Sequence, residues 1–467
     1  MKNLFFVVIL IGSFVHVFAA PSKRNTVVTI SGESFYINGS VTFKGKTWRG
    51  YSIEGLLPNS RMVNGIFDDE TDSTRYRWVY PDTKIWDAER NTREFVENMP
   101  LWRQNGLLAF TINLQGGSPQ GYSGTQPWKN SALDEKGGLK PAYMSRLASI
   151  LDKADELGMA VILGIYYFGQ ERSIENENAV LNGIRNTVEW VIGNGYTNVL
   201  IEINNECDLF RIHPILRAER VHEAIIYAKN VEVDGKRLLV GTSYAGGVIP
   251  GAEVVKASDF ILLHGNGVNN PERIIEMVRR TRQIDGYTPK PILFNEDDHF
   301  DFDKPMNNFI AATSAGASWG YFDYRRPNEP FEVGYQTIPA DWGINSERKK
   351  GFFNLLSQWC QGFAWEKPPT QIVIVNASSE GPVDFASEEI MSAGKETGMR
   401  VSVQRRSPRN VNQTVVIHML STADESAKEI ASNRLREMPH NTAESYSIRS
   451  KYDKNGLTIW VLATEPV

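Results

Sequence analysis

Over most of its length the chain alternates short apolar runs, bounded by turn residues, with longer segments whose apolar positions recur three and four apart. The runs Thr47 to Ile53, Leu107 to Leu114, Met159 to Tyr166 and Asn198 to Asn204 read as strands buried on both faces. Leu238 to Ser243, Phe260 to His264, Pro291 to Asn295 and Ser318 to Asp323 continue the series. Helical periodicity predicts Glu94 to Gln104, Tyr143 to Leu157, Ala179 to Ile192, Arg220 to Asn230, Glu272 to Gln283, Met306 to Thr313 and Lys349 to Gln361. The second of these is the clearest, with Leu147, Ile150, Leu151 and Ala154 on one stripe. Eight strands alternating with helices predict an α/β protein built as a (β/α)8 TIM barrel. A doubly wound sheet is the competitor, but no glycine-rich phosphate loop opens any of the helices.

The flanks carry their own signals. Val27 to Ile30 and Ser34 to Ile37 flank Ser31-Gly32-Glu33, a hairpin pattern. Leu56 to Ala88 is long for a strand-to-helix connection and is expected to wall a cleft; an inert insertion or a cation loop around Asp68-Asp69-Glu70 is the alternative. Lys367-Pro368-Pro369 reads as a linker. Past it, strands are expected at Gln371 to Val375, Arg400 to Gln404, Val415 to Met419 and a pair at Ser447 to Arg449 and Leu457 to Trp460. Helices at Glu388 to Thr397 and Ala427 to Met438 complete a smaller C-terminal αβ domain. At the other end, Lys2, the apolar run Leu4 to Phe18 and the small residues around Ala19 predict a cleaved signal peptide. The expected organisation is therefore a leader over 1–19, a barrel over 26–366 and an accessory domain over 370–467.

Composition narrows the class. A net charge of −5 over 467 residues lacks the basic excess of a nucleic-acid partner. Outside the leader no apolar stretch reaches membrane-spanning length, so no stable membrane insertion is expected after processing, and the protein is expected to be secreted or periplasmic. The two cysteines, Cys207 and Cys360, are expected to be free and buried, since one pair in a domain this size is no disulfide framework.

Candidate chemistry sits where the apolar runs stop. Val199 to Ile203 ends in Asn204-Asn205-Glu206, and Pro291 to Phe294 ends in Asn295-Glu296. The C-terminal ends of the strands form the active-site face of a parallel barrel. Two glutamates facing each other across that mouth suit cleavage of a glycosidic bond, with a carbohydrate as partner and no cofactor or metal required. Further polar side chains at or near strand ends, Glu54, Asn113, Gln115, Asn204 and Tyr244, are candidates for substrate contact.

This pattern resembles glycoside hydrolase clan A, whose acid/base glutamate follows an asparagine on the fourth strand and whose nucleophile ends the seventh. Asn205-Glu206 and Glu296 match those positions. The resemblance implies a retaining mechanism, with Glu296 as nucleophile, Glu206 as acid/base and Asn205 on the sugar 2-hydroxyl. It also implies that His264, ending the sixth strand, stands near the nucleophile, and that Trp319, on the eighth, floors the sugar; a satisfied structural histidine and a core tryptophan are the alternatives. The neighbouring Glu296 carboxylate is expected to raise the Glu206 pKa. One departure stands out: where the clan often carries a histidine after strand three, this chain has Tyr166-Tyr167-Phe168-Gly169-Gln170.

Rival chemistries fit less well. Gly241-Thr242-Ser243-Tyr244-Ala245 lacks the last glycine of a nucleophile elbow. His222-Glu223 lacks the second histidine of a zinc-protease helix. Glu296-Asp297-Asp298-His299 could hold a cation, but is read as loop behind the site. The tail resembles the small αβ domain of β-hexosaminidases and α-glucuronidases in its Ile372-Val373-Ile374-Val375 strand, the Ala386-Ser387-Glu388-Glu389 helix start and the Tyr446-Ser447-Ile448 ending.

Overall fold

Parallel strand pairing organises the larger part of the chain. A computed structural model describes residues 24–360 in full and, beyond them, the backbone of five strands. The strands are β1 (Asn59–Arg61), β2 (Ala109–Asn113), β3 (Ala160–Tyr166), β4 (Val199–Asn204), β5 (Leu239–Gly241), β6 (Ile261–His264), β7 (Ile292–Glu296) and β8 (Gly320–Tyr321). Each is followed by a helix: α1 (Ala88–Gln104), α2 (Pro141–Leu157), α3 (Glu177–Gly193), α4 (Val221–Lys229), α5 (Ala252–Ala257), α6 (Pro271–Arg282), α7 (Asn308–Ser314) and α8 (Glu347–Trp359). One parallel sheet runs β5-β4-β3-β2-β1-β8, and β6 pairs with β7. Parallel bridges from Leu293 to Ser318 and from Asp297 to Tyr321 join β7 to β8. At the remaining seam a backbone bond runs from Asp259 N to Val240 O at 2.9 Å. This is the (β/α)8 arrangement expected.

Two elements depart from expectation. Thr47–Trp48 and Tyr51–Ser52 form an antiparallel hairpin outside the barrel, not its first strand. The first strand is Asn59–Arg61, inside the segment read as a long connection. Its three side chains are polar and all buried, so an apolar pattern had no purchase on it. The six-residue α5 was also not expected; it is too short to show periodicity. The N-terminal hairpin is as predicted, with Val28 opposite Ile37 and Ser31 opposite Ser34.

Helix starts follow local chemistry. Asp87, Asn176, Asn307 and Ser346 accept backbone N–H groups at the first turns of α1, α3, α7 and α8. Asn270 caps α6 with Pro271 just inside it. Gly158, at φ 68°, ends α2 in the left-handed conformation that glycine adopts without strain. The apolar core lies between strands and helices, where Phe95 of α1 meets Trp102 at 4.9 Å and Phe110 of β2 at 5.3 Å. Within Leu56 to Ala88, buried Asp69 gathers Trp78 Nε1 at 2.7 Å and Thr74 Oγ1 at 2.5 Å. Trp78 packs edge-on against Phe67 and against Trp128 from the connection after β2, so aromatic rings tie the two segments together.

The chain divides into two compact units, Met1–Phe363 and Ala364–Val467. In the second, Arg400–Arg405 pairs parallel with Gln371–Asn376. Thr414–His418, Gly456–Ala463 and Tyr446–Asp453 follow antiparallel, with Arg449 opposite Trp460. The expected leader, the Lys367-Pro368-Pro369 linker and the two tail helices lie outside the described residues. Among those residues both cysteines are free; Cys207 is buried, whereas Cys360 is only half-buried, a correction to the reading of both as buried.

Candidate active site

Four strand ends converge on one cluster. β1 delivers Arg61, β4 runs into Asn205 and Glu206, β6 ends in His264 and β7 in Glu296. A register shift between Leu263 and His264 sets His264 directly opposite Glu296. One oxygen each of Glu206 and Glu296 and a ring nitrogen of His264 all lie within 4.8 Å of one another.

Each carboxylate is held differently. Glu296 Oε2 lies 2.7 Å from Arg61 Nε, an ionic contact without hydrogen-bond alignment. Its Oε1 accepts from Asn266 Nδ2 at 2.5 Å. Arg61 Nη2 donates to Asn205 Oδ1 at 2.7 Å, so one guanidinium ties the β4 asparagine to the β7 glutamate. Glu206 Oε1 faces His264 Nδ1 at 3.1 Å, while that nitrogen lies 3.6 Å from Glu296 Oε2.

Glu206 has left-handed backbone, φ 52°, a conformation costing a non-glycine residue about 1–3 kcal/mol. Three side chains hold it there. Ser243 Oγ accepts its N–H at 3.0 Å, Arg211 Nη2 donates to its carbonyl at 2.7 Å, and His264 takes the carboxylate. Arg211 is buried and also donates to Asn204 Oδ1, the Asn205 carbonyl and the Phe210 carbonyl, fixing the whole turn after β4.

Burial and charge set the protonation order. Burial raises the Glu296 pKa and wins over the opposing charges of Arg61 and His264. Burial pushes Glu206 the same way, but the His264 bond, with the charges of His264, Arg61 and Arg211, brings it below the ordinary value. This corrects the expectation of a raised Glu206; that reasoning left out the His264 contact. Burial lowers His264, yet the two carboxylates outweigh it and its pKa is raised. Tyr167, in place of the absent histidine after β3, is buried, and burial together with both carboxylates raises its pKa.

The structure separates the remaining candidates. Asn205 and His264 belong to the cluster. Asn113 is buried on β2, with both amide atoms unpartnered among the described residues. Glu54 is exposed beside the hairpin and accepts the Gly45 N–H, so it is not at the barrel mouth; its misplacement follows from the misread first strand. Trp319 is buried against Phe309 of α7 and Phe352 of α8, at 5.6 and 5.8 Å, in the helix layer and not under a sugar. Its indole instead donates to Asp297 Oδ2 at 2.8 Å. Tyr244 is buried, as is Cys207, the residue after Glu206. Gln115 accepts the Tyr167 N–H, and Asn204 donates to Leu216 O, so both serve the scaffold.

Arg61, Asn266 and Arg211 were not foreseen, and Tyr167 was noted only within the run after strand three. Arg61 lies on the polar strand that periodicity could not see, and the others sit in loops. Cation binding is disfavoured at both acidic clusters. The Arg61 guanidinium already neutralises Glu296, and Asp297 already accepts from Trp319, Asn308 and His299.

No protein-family model matches the chain, and no curated protein matches it. Similar solved structures include a glycoside hydrolase family 5 protein from Bacteroides vulgatus, at 12% identity over 94% of this chain and 93% of that one, with a TM-score of 0.47. A GH5-4 broad specificity endoglucanase from Bacteroides salanitronis is 10% identical over 65% and 93%, with a TM-score of 0.42. A β-glucosidase from Thermotoga maritima is 11% identical over 66% and 98%, with a TM-score of 0.43. Likeness at this level says nothing of the reaction, which has to be read from the site.

Proposed function

We propose that this protein is a retaining β-glycoside hydrolase of clan A, acting on oligo- or polysaccharides by double displacement. The observation that carries the reading is the pair Glu206 and Glu296 at the ends of β4 and β7, with carboxylate oxygens within 4.8 Å. Retaining enzymes hold their carboxyl groups about 5 Å apart, whereas inverting ones leave roughly 6.5–9.5 Å for a water.

In this reading Glu296 attacks the anomeric carbon while Glu206 protonates the departing oxygen, giving a glycosyl ester on Glu296. Glu206 then takes a proton from water, which attacks the same carbon and frees Glu296. Arg61 and Asn266 hold the nucleophile in place and favour its ionised form. Asn205 Oδ1 is committed to Arg61, which leaves its Nδ2 to donate to the sugar 2-hydroxyl. His264, 3.1 Å from Glu206, carries the proton of the free site and can pass it to Glu206 when a leaving-group oxygen arrives. Export, expected from the leader, is part of the same proposal.

The rival reading is a catalytically silent carbohydrate-binding barrel. A panel of chromogenic β-glycosides and polysaccharides separates the two, because the rival binds without releasing reducing ends. Glu296→Ala should abolish turnover, with azide restoring some activity and giving product of inverted configuration. A folded Glu296→Ala protein with near-normal rates would exclude the proposed nucleophile.

A further inference from the structure

Glu202 puts a charge in the middle of the apolar run Val199-Leu200-Ile201-Glu202-Ile203. It is fully buried on β4, two positions before Asn204, and takes no part in the double displacement outlined above. Burying a carboxylate is costly unless its bonds serve something. Its Oε1 accepts the Ser243 hydroxyl at 2.5 Å. That hydroxyl oxygen in turn accepts the Glu206 N–H at 3.0 Å. The Ser243 carbonyl accepts the next amide, Cys207 N, at 2.9 Å.

A serine hydroxyl has one proton and two lone pairs, and rotates to suit its neighbours. Glu202 is the acceptor that takes the proton, so the lone pairs are turned toward Glu206 N–H. Glu206 is also the residue held at φ 52°, where its own backbone preference would not keep it. The carbonyl side of the turn is fixed by Arg211 and the amide side by Ser243. Glu202 stands behind the second of these. Its other oxygen has no hydrogen-bond partner among the described residues; the carboxylate also acts on the buried Arg61 guanidinium, and Ser243 is the group it bonds.

We infer that Glu202 is a positioning residue, which through Ser243 holds the left-handed turn that aims Glu206 at the leaving-group oxygen. The inference rests on the hydrolase reading above.

The test compares Glu202→Leu, Glu202→Gln, Ser243→Ala and the Glu202→Leu/Ser243→Ala pair in the full chain. General-acid catalysis is worth about 10²–10⁴-fold, and a loosened acid should forfeit part of it. On unactivated glycosides kcat should fall about 10- to 100-fold in Glu202→Leu and Ser243→Ala with KM little changed. Activated aryl glycosides should be affected far less, and the double variant should be no worse than either single one. Glu202→Gln keeps an acceptor oxygen for Ser243 and should stay near wild type. Ser243→Ala removes a single oxygen and carries the test if Glu202→Leu does not fold. A second measurement needs no substrate: the titration of His264, followed by NMR with labelled histidine, should move to lower pH in Ser243→Ala as Glu206 leaves its place. Folded variants with wild-type kcat, equal losses on both substrate types or an unmoved His264 titration would overturn the inference. If the wild-type protein cleaves no glycoside, the hydrolase reading fails by itself, and the His264 comparison alone decides whether Ser243 holds Glu206.

Discussion

Arg61 Nε lies 2.7 Å from Glu296 Oε2, with the two side chains 1% and 6% exposed. An ion pair this deep is not there for stability alone, since a well-packed apolar pair would serve as well. It supplies a fixed positive charge that opposes the upward push of burial on the Glu296 pKa.

Arg61→Met should therefore leave Glu296 buried without its countercharge. The Glu296 pKa, already raised, should climb further, so the acid limb of the kcat/KM profile should move to higher pH. At a fixed neutral pH kcat should fall about 100-fold or more, and stability should drop by about 3–5 kcal/mol. A pH–rate series with a denaturant melt reads both. An unmoved acid limb in a folded variant would remove Arg61 from the site's electrostatics.

His264 should set the alkaline limb. Its folded pKa is raised above the ordinary 6.5, so the proton shared with Glu206 leaves the site only above that pH. Activity should fall as pH rises through this value, and His264→Asn should shift that limb toward acid pH as Glu206 titrates alone. Stability follows the same sign: the contribution of His264 is full below its unfolded pKa and lost as pH rises through its folded one. Melting temperatures across pH 5–9 for both proteins measure it.

Arg211 bonds the Asn205, Glu206 and Phe210 carbonyls at once. Arg211→Ala would strand the Asn205 and Phe210 carbonyls, while the Glu206 carbonyl keeps the Leu209 N–H; each unsatisfied buried group costs about 1–3 kcal/mol. The expected outcome is a lower melting temperature, faster protease cleavage near Leu209-Phe210 and a loss in kcat larger than the change in KM. A variant cut no faster than wild type would show that other contacts hold the turn.

Lys349, at the start of α8, is buried with its ammonium against the Tyr335 ring and the Asp341 carbonyl. Burial pushes its pKa down to about 7. Between that value and the unfolded 10.5 the unfolded chain binds a proton that the folded chain does not. Folding stability should rise with pH across this range, and Lys349→Met should remove that slope. Urea midpoints at pH 7 and 9.5 test it; equal slopes in the two proteins would contradict it.

The sequence made β2 to β8 legible because each is an apolar run between turn residues, and it made Glu206 and Glu296 legible because a carboxylate at the end of such a run has no packing explanation. It concealed β1 for the opposite reason. Asn59, Ser60 and Arg61 face partners that only the closed barrel supplies, and no local period records them. With β1 hidden, Arg61 was hidden too, and Glu54 was taken for a strand end. Trp319 was left between a sugar floor and the core, because strand position does not say which layer a side chain enters. Its indole partner, Asp297, was known only as loop. The Glu206 pKa went the other way because it depends on His264 Nδ1, a contact across two strands.

β1 pairs with β2 on one side and β8 on the other, and Ser60 Oγ donates to Tyr321 O across 261 positions of chain. Three polar residues carry no autonomous drive to fold, so this strand gains its place only when the two ends of the barrel meet. Contacts between segments so distant in the chain bring their loop-closure cost early and their reward late. The Arg61–Glu296 pair is thus a product of barrel closure. A refolding chain would regain its helix signal before any activity, and return of catalysis would time the last step of assembly.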